Sequence, residues 1–445
     1  MSRTNTRTPA VATEVSGSAQ TAEPQLGRHL TLPGAVALAI TIVVGSGVLV
    51  LPGIAYARSG PAAFWAWVIS AALVAPLLLV FGRLGGAYPT AGGIAGFAQA
   101  AFGRRLAGGV EIMTIGTFGL GIPAIALTGG QYFAALLGLP GAWAGVIAAL
   151  MLGAAGAVNL AGIRLSSRVQ TILAIGLTVG LVAVGLVGLL SPGARPAAAP
   201  PLDGPAVRDA TTAVAVVFFA FTGWEMLSFT AEEYRNPRRD FPRAVTISFL
   251  LVTGVYLLLA WSVQARLTPS EPRLDTTPIS ALIDDAVGGG AGRLVAALGV
   301  VIIAANLVGA LWGASRLVMS SAREGLLPRP LAKVGRTEVP WLSIVTCVVG
   351  FIAVATASSL GVVSLGDLLA VAGANFFLLY LISTAAYLRL FPAIRDRVFG
   401  TVILVALSGV VLTFGWIQLG YAIALLAAGA LLVGYRRRRG SNGSR

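Results

Sequence analysis

The segment that decides the fold runs from Thr31 to Pro52, TLPGAVALAITIVVGSGVLVLP, and carries no charged residue. A helix crossing a hydrocarbon core of about 30 Å needs about 20 largely apolar residues, and this run suffices. Its interior holds Gly45-Ser46-Gly47. Consecutive small residues have weak helix propensity, so the backbone is free to leave helical geometry there. Amides and carbonyls freed at bilayer depth must face protein or a cavity, because hydrocarbon offers them no partner. Close packing against a neighbouring helix is the other use of such a pattern.

Working outward, the whole chain repeats this character. Of 445 residues, 56% are hydrophobic and 11% charged, against roughly 45–50% and about 25% in a soluble domain. Uncharged runs separated by Pro, Gly and Arg give twelve candidate spans, near 33–57, 62–82, 109–137, 141–161, 168–190, 210–232, 243–264, 293–320, 340–358, 363–388, 398–415 and 417–435. This is the pattern of an all-α polytopic membrane protein. Placing the N-terminus inside puts 25 of the 31 basic residues on the cytoplasmic side, leaving Arg58, Arg195, Arg208, Arg266, Arg273 and Arg293 outside. Basic loops resist translocation, so both termini are expected in the cytoplasm. Arg436 to Arg439 are expected to anchor the last helix at the anionic inner leaflet.

The net charge of +14 therefore reports topology, and no nucleic-acid partner is expected. One cysteine, Cys347, and one histidine, His29, leave no material for a disulfide framework, zinc cluster or haem site. Residues 1–30 are rich in Ser, Thr, Ala and Pro, lack a signal-peptide core and read as a disordered cytoplasmic tail. The segments 191–208 and 265–292 read as solvated connectors. Asp284-Asp285 in the second is a conceivable Mg²⁺ pair, but no second acidic cluster accompanies it. No metal or cofactor is expected.

A second interruption lies in the sixth span, VVFFAFTGWEMLSFTAEEYRNP from Val216 to Pro237, where Thr222-Gly223 precede Glu225. Two glycine-interrupted spans, one opening each five-span half, are the sequence pointer to an inverted-repeat transporter. The broken ends offer amide N–H groups and a positive helix end to a carboxylate, and freed carbonyls to an ammonium. A carboxylate at the depth of Glu225 costs about 2.5–3.5 kcal/mol on insertion scales. Two roles stay open for it: coupling or gating, and a structural acid satisfied by a nearby hydroxyl or carbonyl. Asn306, Asp367 and Asn375 are further candidates to line a cavity or satisfy broken backbone, while Glu111 sits near the cytoplasmic start of the third span. Trp312, Phe218, Phe219 and Phe221 are candidate apolar gates.

These residues resemble the amino acid, polyamine and organocation (APC) transporters. The resemblance rests on Val44-Gly45-Ser46-Gly47-Val48, Tyr88-Pro89-Thr90-Ala91-Gly92-Gly93, Asn159-Leu160-Ala161-Gly162 and Phe218-Phe219-Ala220-Phe221-Thr222-Gly223-Trp224-Glu225. Three further stretches continue it in order: Glu232 to Ala244, Ala314-Ser315-Arg316 and Ala322-Arg323-Glu324-Gly325. It implies a five-plus-five inverted repeat of the LeuT type with broken helices 1 and 6, two extra C-terminal helices and alternating access. The implied division is 31–190 and 210–390 for the repeats, 191–209 for an extracytoplasmic linker, 391–435 for helices 11 and 12, and 436–445 for a basic tail. Gly45, Ser46 and Gly47 match the family's carboxylate cradle, Phe219, Phe221 and Thr222 its span-six wall and ammonium contact, and Glu225 its buried glutamate. The stretch Glu232 to Ala244 matches the cytoplasmic loop that helps close the inner gate.

Within the superfamily the chain is similar to bacterial exporters of methionine and branched-chain amino acids, which implies a multi-pass protein of the bacterial cytoplasmic membrane. It departs from proton-coupled relatives that carry a lysine in span five; Ala174 to Leu177 occupy that region, and the sole lysine is Lys333. Proton coupling and sodium coupling both stay open. The absence of basic residues beside the two breaks suits a zwitterion with an uncharged side chain. No Walker A motif is present, and neither pore-lining charge rings nor a His-based site supports a channel or a membrane enzyme.

Overall fold

The computed structural model describes residues 31–88, 93–162, 167–195, 203–224, 237–335 and 339–442. Among these, regular structure is helical throughout. The α-helices are α1 (Leu32–Val43), α2 (Ser46–Ser59), α3 (Ala63–Ala87), α4 (Gly93–Phe102), α5 (Arg104–Leu137), α6 (Ala144–Leu160), α7 (Ser167–Leu190) and α8 (Gly204–Phe218). They continue with α9 (Pro237–Arg266), α10 (Pro278–Val287), α11 (Gly292–Arg323), α12 (Trp341–Ser359), α13 (Leu365–Leu390), α14 (Ile394–Val411) and α15 (Trp416–Asn442).

Among the described residues, 10 helical stretches are long and apolar enough to cross a membrane. The first, Ser46–Ala87, joins α2 and α3 through a short 3-10 turn. Helix α1 is shorter than a bilayer, and α14 opens on Arg395, Asp396 and Arg397. Side chains cap the starts of two of the described helices. Asp203 caps α8 by accepting the Ala206 amide at 2.8 Å, and Ser364 caps α13 by accepting that of Asp367 at 3.1 Å. Within α13, 72% of the apolar window is buried by other helices, against 17% for Trp416–Tyr435, so α13 is a central post and α15 a peripheral one.

Two helices depart from the reading of the sequence. Helix α4 fills a stretch read as a loop, and α10 lies in a segment read as a solvated connector. Ile279, Ala281 and Leu282 of α10 are fully buried. Ten residues with one apolar face are too short to register as a span, and their acids and the following glycines resemble a loop.

Ion pairs knit the α10 end of the bundle. Arg266, only 3% exposed at its side chain, donates to the carbonyls of Gly188 at 2.8 Å and Ser191 at 2.5 Å and pairs with Asp285 at 3.3 Å. Asp284 accepts from Arg273 at 2.7 Å and from the Gly292 amide at 2.8 Å. Burial disfavours the Arg273 charge, but hydrogen bonds to Asp284 and Glu271 outweigh it and raise its pKa. Both carboxylates of the Asp284-Asp285 pair thus serve arginines. Also at this end, Arg58 of α2 pairs with Asp367 of α13 at 3.2 Å.

At the opposite end, Arg83 of α3 donates to the Tyr387 hydroxyl at 2.9 Å and pairs with Asp396, which also accepts from Tyr387 at 2.9 Å. Arg104 joins Glu111 at 2.7 Å and Glu324, and Glu111 accepts from Ser321 at 3.2 Å.

Candidate substrate site at two helix breaks

Helix α1 stops at Val43 because Val44 is extended (φ −79°, ψ 96°) and Gly45 follows at φ −125°, ψ −142°. Helix α2 then begins at Ser46 with no side-chain cap. Its first amides have no intrahelical partner, and its positive end faces the negative end of α1 across the break. The Ser46 hydroxyl, in a residue 1% exposed, has no hydrogen-bond partner among the described residues. Asn306 of α11 closes one side: a Cβ on Gly45 would stand 2.9 Å from both its amide nitrogen and its amide oxygen.

The sixth span breaks likewise. Helix α8 tightens into a 3-10 turn over Phe219–Phe221, Thr222 is extended (φ −90°, ψ 164°) and Gly223 takes φ +104°. The left-handed value explains the glycine. The Thr222 hydroxyl donates to the Phe219 carbonyl at 2.8 Å, so it closes its own turn. Glu225 and the stretch to Asn236 lie outside the described residues, as do Pro89 to Gly92.

The two breaks touch. A Cβ on Gly47 would stand 2.9 Å from the Ala220 Cα, a separation that leaves room for hydrogen alone. Tyr256 of α9 spans both, its hydroxyl lying 3.2 Å from the Val43 carbonyl and 3.0 Å from that of Ala220. Tyr132 of α5 donates to the Leu49 carbonyl at 2.7 Å and fixes α2 beyond the break.

The candidate residues divide accordingly. Gly45, Ser46, Gly47 and the turn bearing Phe219 and Thr222 come together. The Phe219 ring rests on Gly121 of α5, where a Cβ would stand 3.0 Å from it. Phe221 turns away, fully buried between Trp67 and Tyr256 with ring centroids 6.1 and 5.2 Å distant. Phe218 packs on Phe377 at 3.9 Å, and Trp312 is half exposed beneath the Arg316 guanidinium at 3.8 Å. Asp367 and Glu111 belong to the ion pairs at the two ends. Asn375 is fully buried, with neither amide atom hydrogen-bonded among the described residues. Tyr256, Tyr132 and Gly121 carry no motif. The available signal for the tyrosines is a hydroxyl inside an apolar span, which must find a partner when buried.

Comparison with known proteins agrees with this architecture. The family model "Amino acid permease" matches residues 30–438. The L-methionine/branched-chain amino acid exporter YjeH of Escherichia coli (strain K12) is 30% identical over 418 residues, covering 93% of this chain and 97% of that protein. The amino acid permease YecA of Bacillus subtilis (strain 168) is 29% identical, covering 82% of this chain and 86% of that protein. The serine/threonine exchanger SteT of the same organism is 26% identical, covering 65% of each chain. Among solved structures, MhsT in complex with L-phenylalanine superposes with a TM-score of 0.63 at 15% identity, over 87% of this chain and 99% of that one. That likeness establishes the fold alone.

Proposed function

From the premise that this chain belongs to the amino acid permease family, a family of transporters and not of enzymes, we propose that it carries small neutral amino acids across a bacterial cytoplasmic membrane by alternating access. Export of methionine and branched-chain amino acids is the direction and cargo we assign. The observation that carries the reading is the meeting of the two helix breaks at Gly47 and Ala220.

At that junction the substrate carboxylate takes the first amides of α2 and the Ser46 hydroxyl, matching anion to positive helix end. The ammonium takes carbonyls from the end of α1 and from the Phe219–Phe221 turn. Phe219 bounds the side chain. An amide, Asn306, rather than a charged group stands beside Gly45, which favours a substrate without a charged side chain. The exporter similarity supports methionine and branched-chain cargo, and the exchanger similarity is a reason to try serine and threonine as well.

In this reading there are twelve crossings, counting α1 with α2 as one and α14 as another. Residues 31–190 and 210–390 form the two repeats, and both termini are cytoplasmic, on the strength of the arginine asymmetry. Glu225 is the coupling or gating carboxylate.

Counterflow in proteoliposomes tests the proposal. Liposomes preloaded with unlabelled methionine, leucine, serine or arginine should accumulate the matching labelled amino acid for the neutral substrates and not for arginine. Accumulation of arginine alone, or of none by folded protein in sealed liposomes, overturns it.

A further inference from the structure

Phe219 is held on three sides. Its ring lies on the bare backbone of Gly121, where a Cβ would stand 3.0 Å from Cε2 and 3.3 Å from Cζ. Phe376 of α13 flanks it at a centroid distance of 6.3 Å, and Phe376 is in turn backed by Phe118 at 6.4 Å and Tyr380 at 6.2 Å. The backbone of the turn is seated on α13 as well: a Cβ on Gly373 would stand 3.5 Å from the Phe219 nitrogen and would run into the Ala215 carbonyl. The turn therefore has no room to retreat toward α13. The ring is the part able to yield, and its Cε2–Cζ edge comes this close to α5 because position 121 has no side chain.

We propose that Gly121 sets, through the Phe219 ring, the largest substrate side chain the carrier accepts. The assignment rests on the carrier reading above, and it adds a specificity determinant on α5 that touches no substrate. A methyl at position 121 must displace the ring by a few tenths of an ångström, and a branched side chain must displace it further. Space lost there is space lost to a substrate side chain lying against Phe219. A methylene's worth of apolar pocket changes selectivity by roughly 10- to 200-fold, so the effect should grade with the size of the amino acid.

The experiment is counterflow of labelled alanine, leucine and methionine by wild type, Gly121→Ala, Gly121→Val and the double variant Gly121→Val/Phe219→Leu. Alanine raises helix propensity over glycine, so Gly121→Ala should fold at least as well as wild type. Gly121→Val should lose leucine and methionine counterflow roughly tenfold or more relative to alanine, with Gly121→Ala between it and wild type. Phe219→Leu in the same chain should restore the larger substrates. An equal loss for all three amino acids, or a double variant that restores nothing, overturns the assignment while leaving a competent wild-type carrier. Wild-type protein that carries none of them sinks the carrier reading, and this assignment with it.

Discussion

The Tyr256 hydroxyl stands 3.0 Å from the Ala220 carbonyl, and the same oxygen is 3.2 Å from that of Val43. A phenol has one hydrogen, so the two carbonyls share it. One fully buried side chain on α9 thus ties the break of the first span to that of the sixth. Removing the hydroxyl leaves buried carbonyl groups short of a donor, at about 1–3 kcal/mol each. Tyr256→Phe should lower the melting temperature in detergent modestly and slow methionine counterflow severalfold. Unchanged counterflow would mean the breaks keep their alignment without it.

Gly47 faces backbone, which yields less than a side chain. A Cβ there would stand 2.9 Å from the Ala220 Cα. Gly47→Ala should abolish counterflow while the protein still inserts and elutes as a monodisperse peak. Normal transport by this variant would remove Gly47 from the substrate cradle.

Arg266 is a stability residue by the same reasoning. Its guanidinium satisfies the Gly188 and Ser191 carbonyls and the Asp285 carboxylate from a buried position. Arg266→Met should cost about 1–3 kcal/mol for each carbonyl left without a donor. Thermal unfolding of the purified variant checks it, and an unaltered melting temperature would show that water replaces the guanidinium.

The Arg58 to Asp367 pair should behave differently. Both side chains are substantially exposed, at 37% and 58%, and exposed pairs contribute about 0–1 kcal/mol. Asp367→Asn should leave the melting temperature nearly unchanged. It should alter instead how readily a reagent reaches α2 from the α10 end, read as labelling of a cysteine placed at Ser59. Equal labelling rates in both backgrounds would deny the pair any part in closing that end.

Glu225 bears on coupling. Glu225→Gln should flatten the pH dependence of counterflow if this carboxylate exchanges a proton during the cycle. A pH profile that keeps its shape would assign it a structural bond.

Both breaks were legible in the sequence, because Gly45-Ser46-Gly47 and Thr222-Gly223 are small residues in runs that otherwise favour unbroken helix. What a linear reading misses is direction. The family resemblance assigns Phe219 and Phe221 to one wall, whereas one ring meets α5 and the other is enclosed by Trp67 and Tyr256. Pairings across the fold are equally hidden. Asp284 and Asp285 read as a possible metal pair, and the arginines that occupy them come from separate positions, Arg273 in the preceding loop and Arg266 at the end of α9. Helix α10 escaped because a single apolar face on a short helix looks like a loop until α2 is placed beneath it.

The pinning of α2 and α3 has a mechanical consequence. Their hairpin is fastened to α13 at the two ends of the bundle, by Arg58 with Asp367 and by Arg83 with Tyr387. Helix α1 is joined to it through Val44 and Gly45 alone, and its start packs in a small cluster of its own, with Ala35 against Ala244. The junction of the breaks is then a fulcrum and α1 a lever. Twelve residues at 1.5 Å each make an arm of about 18 Å, so a turn of about 20° at Gly45 carries the far end about 6 Å. The arm is not free, because Ala37, Ala39, Ile40 and Val43 lie in the main core and α1 packs along α7 and α9, so a bend at the fulcrum must slide those faces as well as part the contact at its far end.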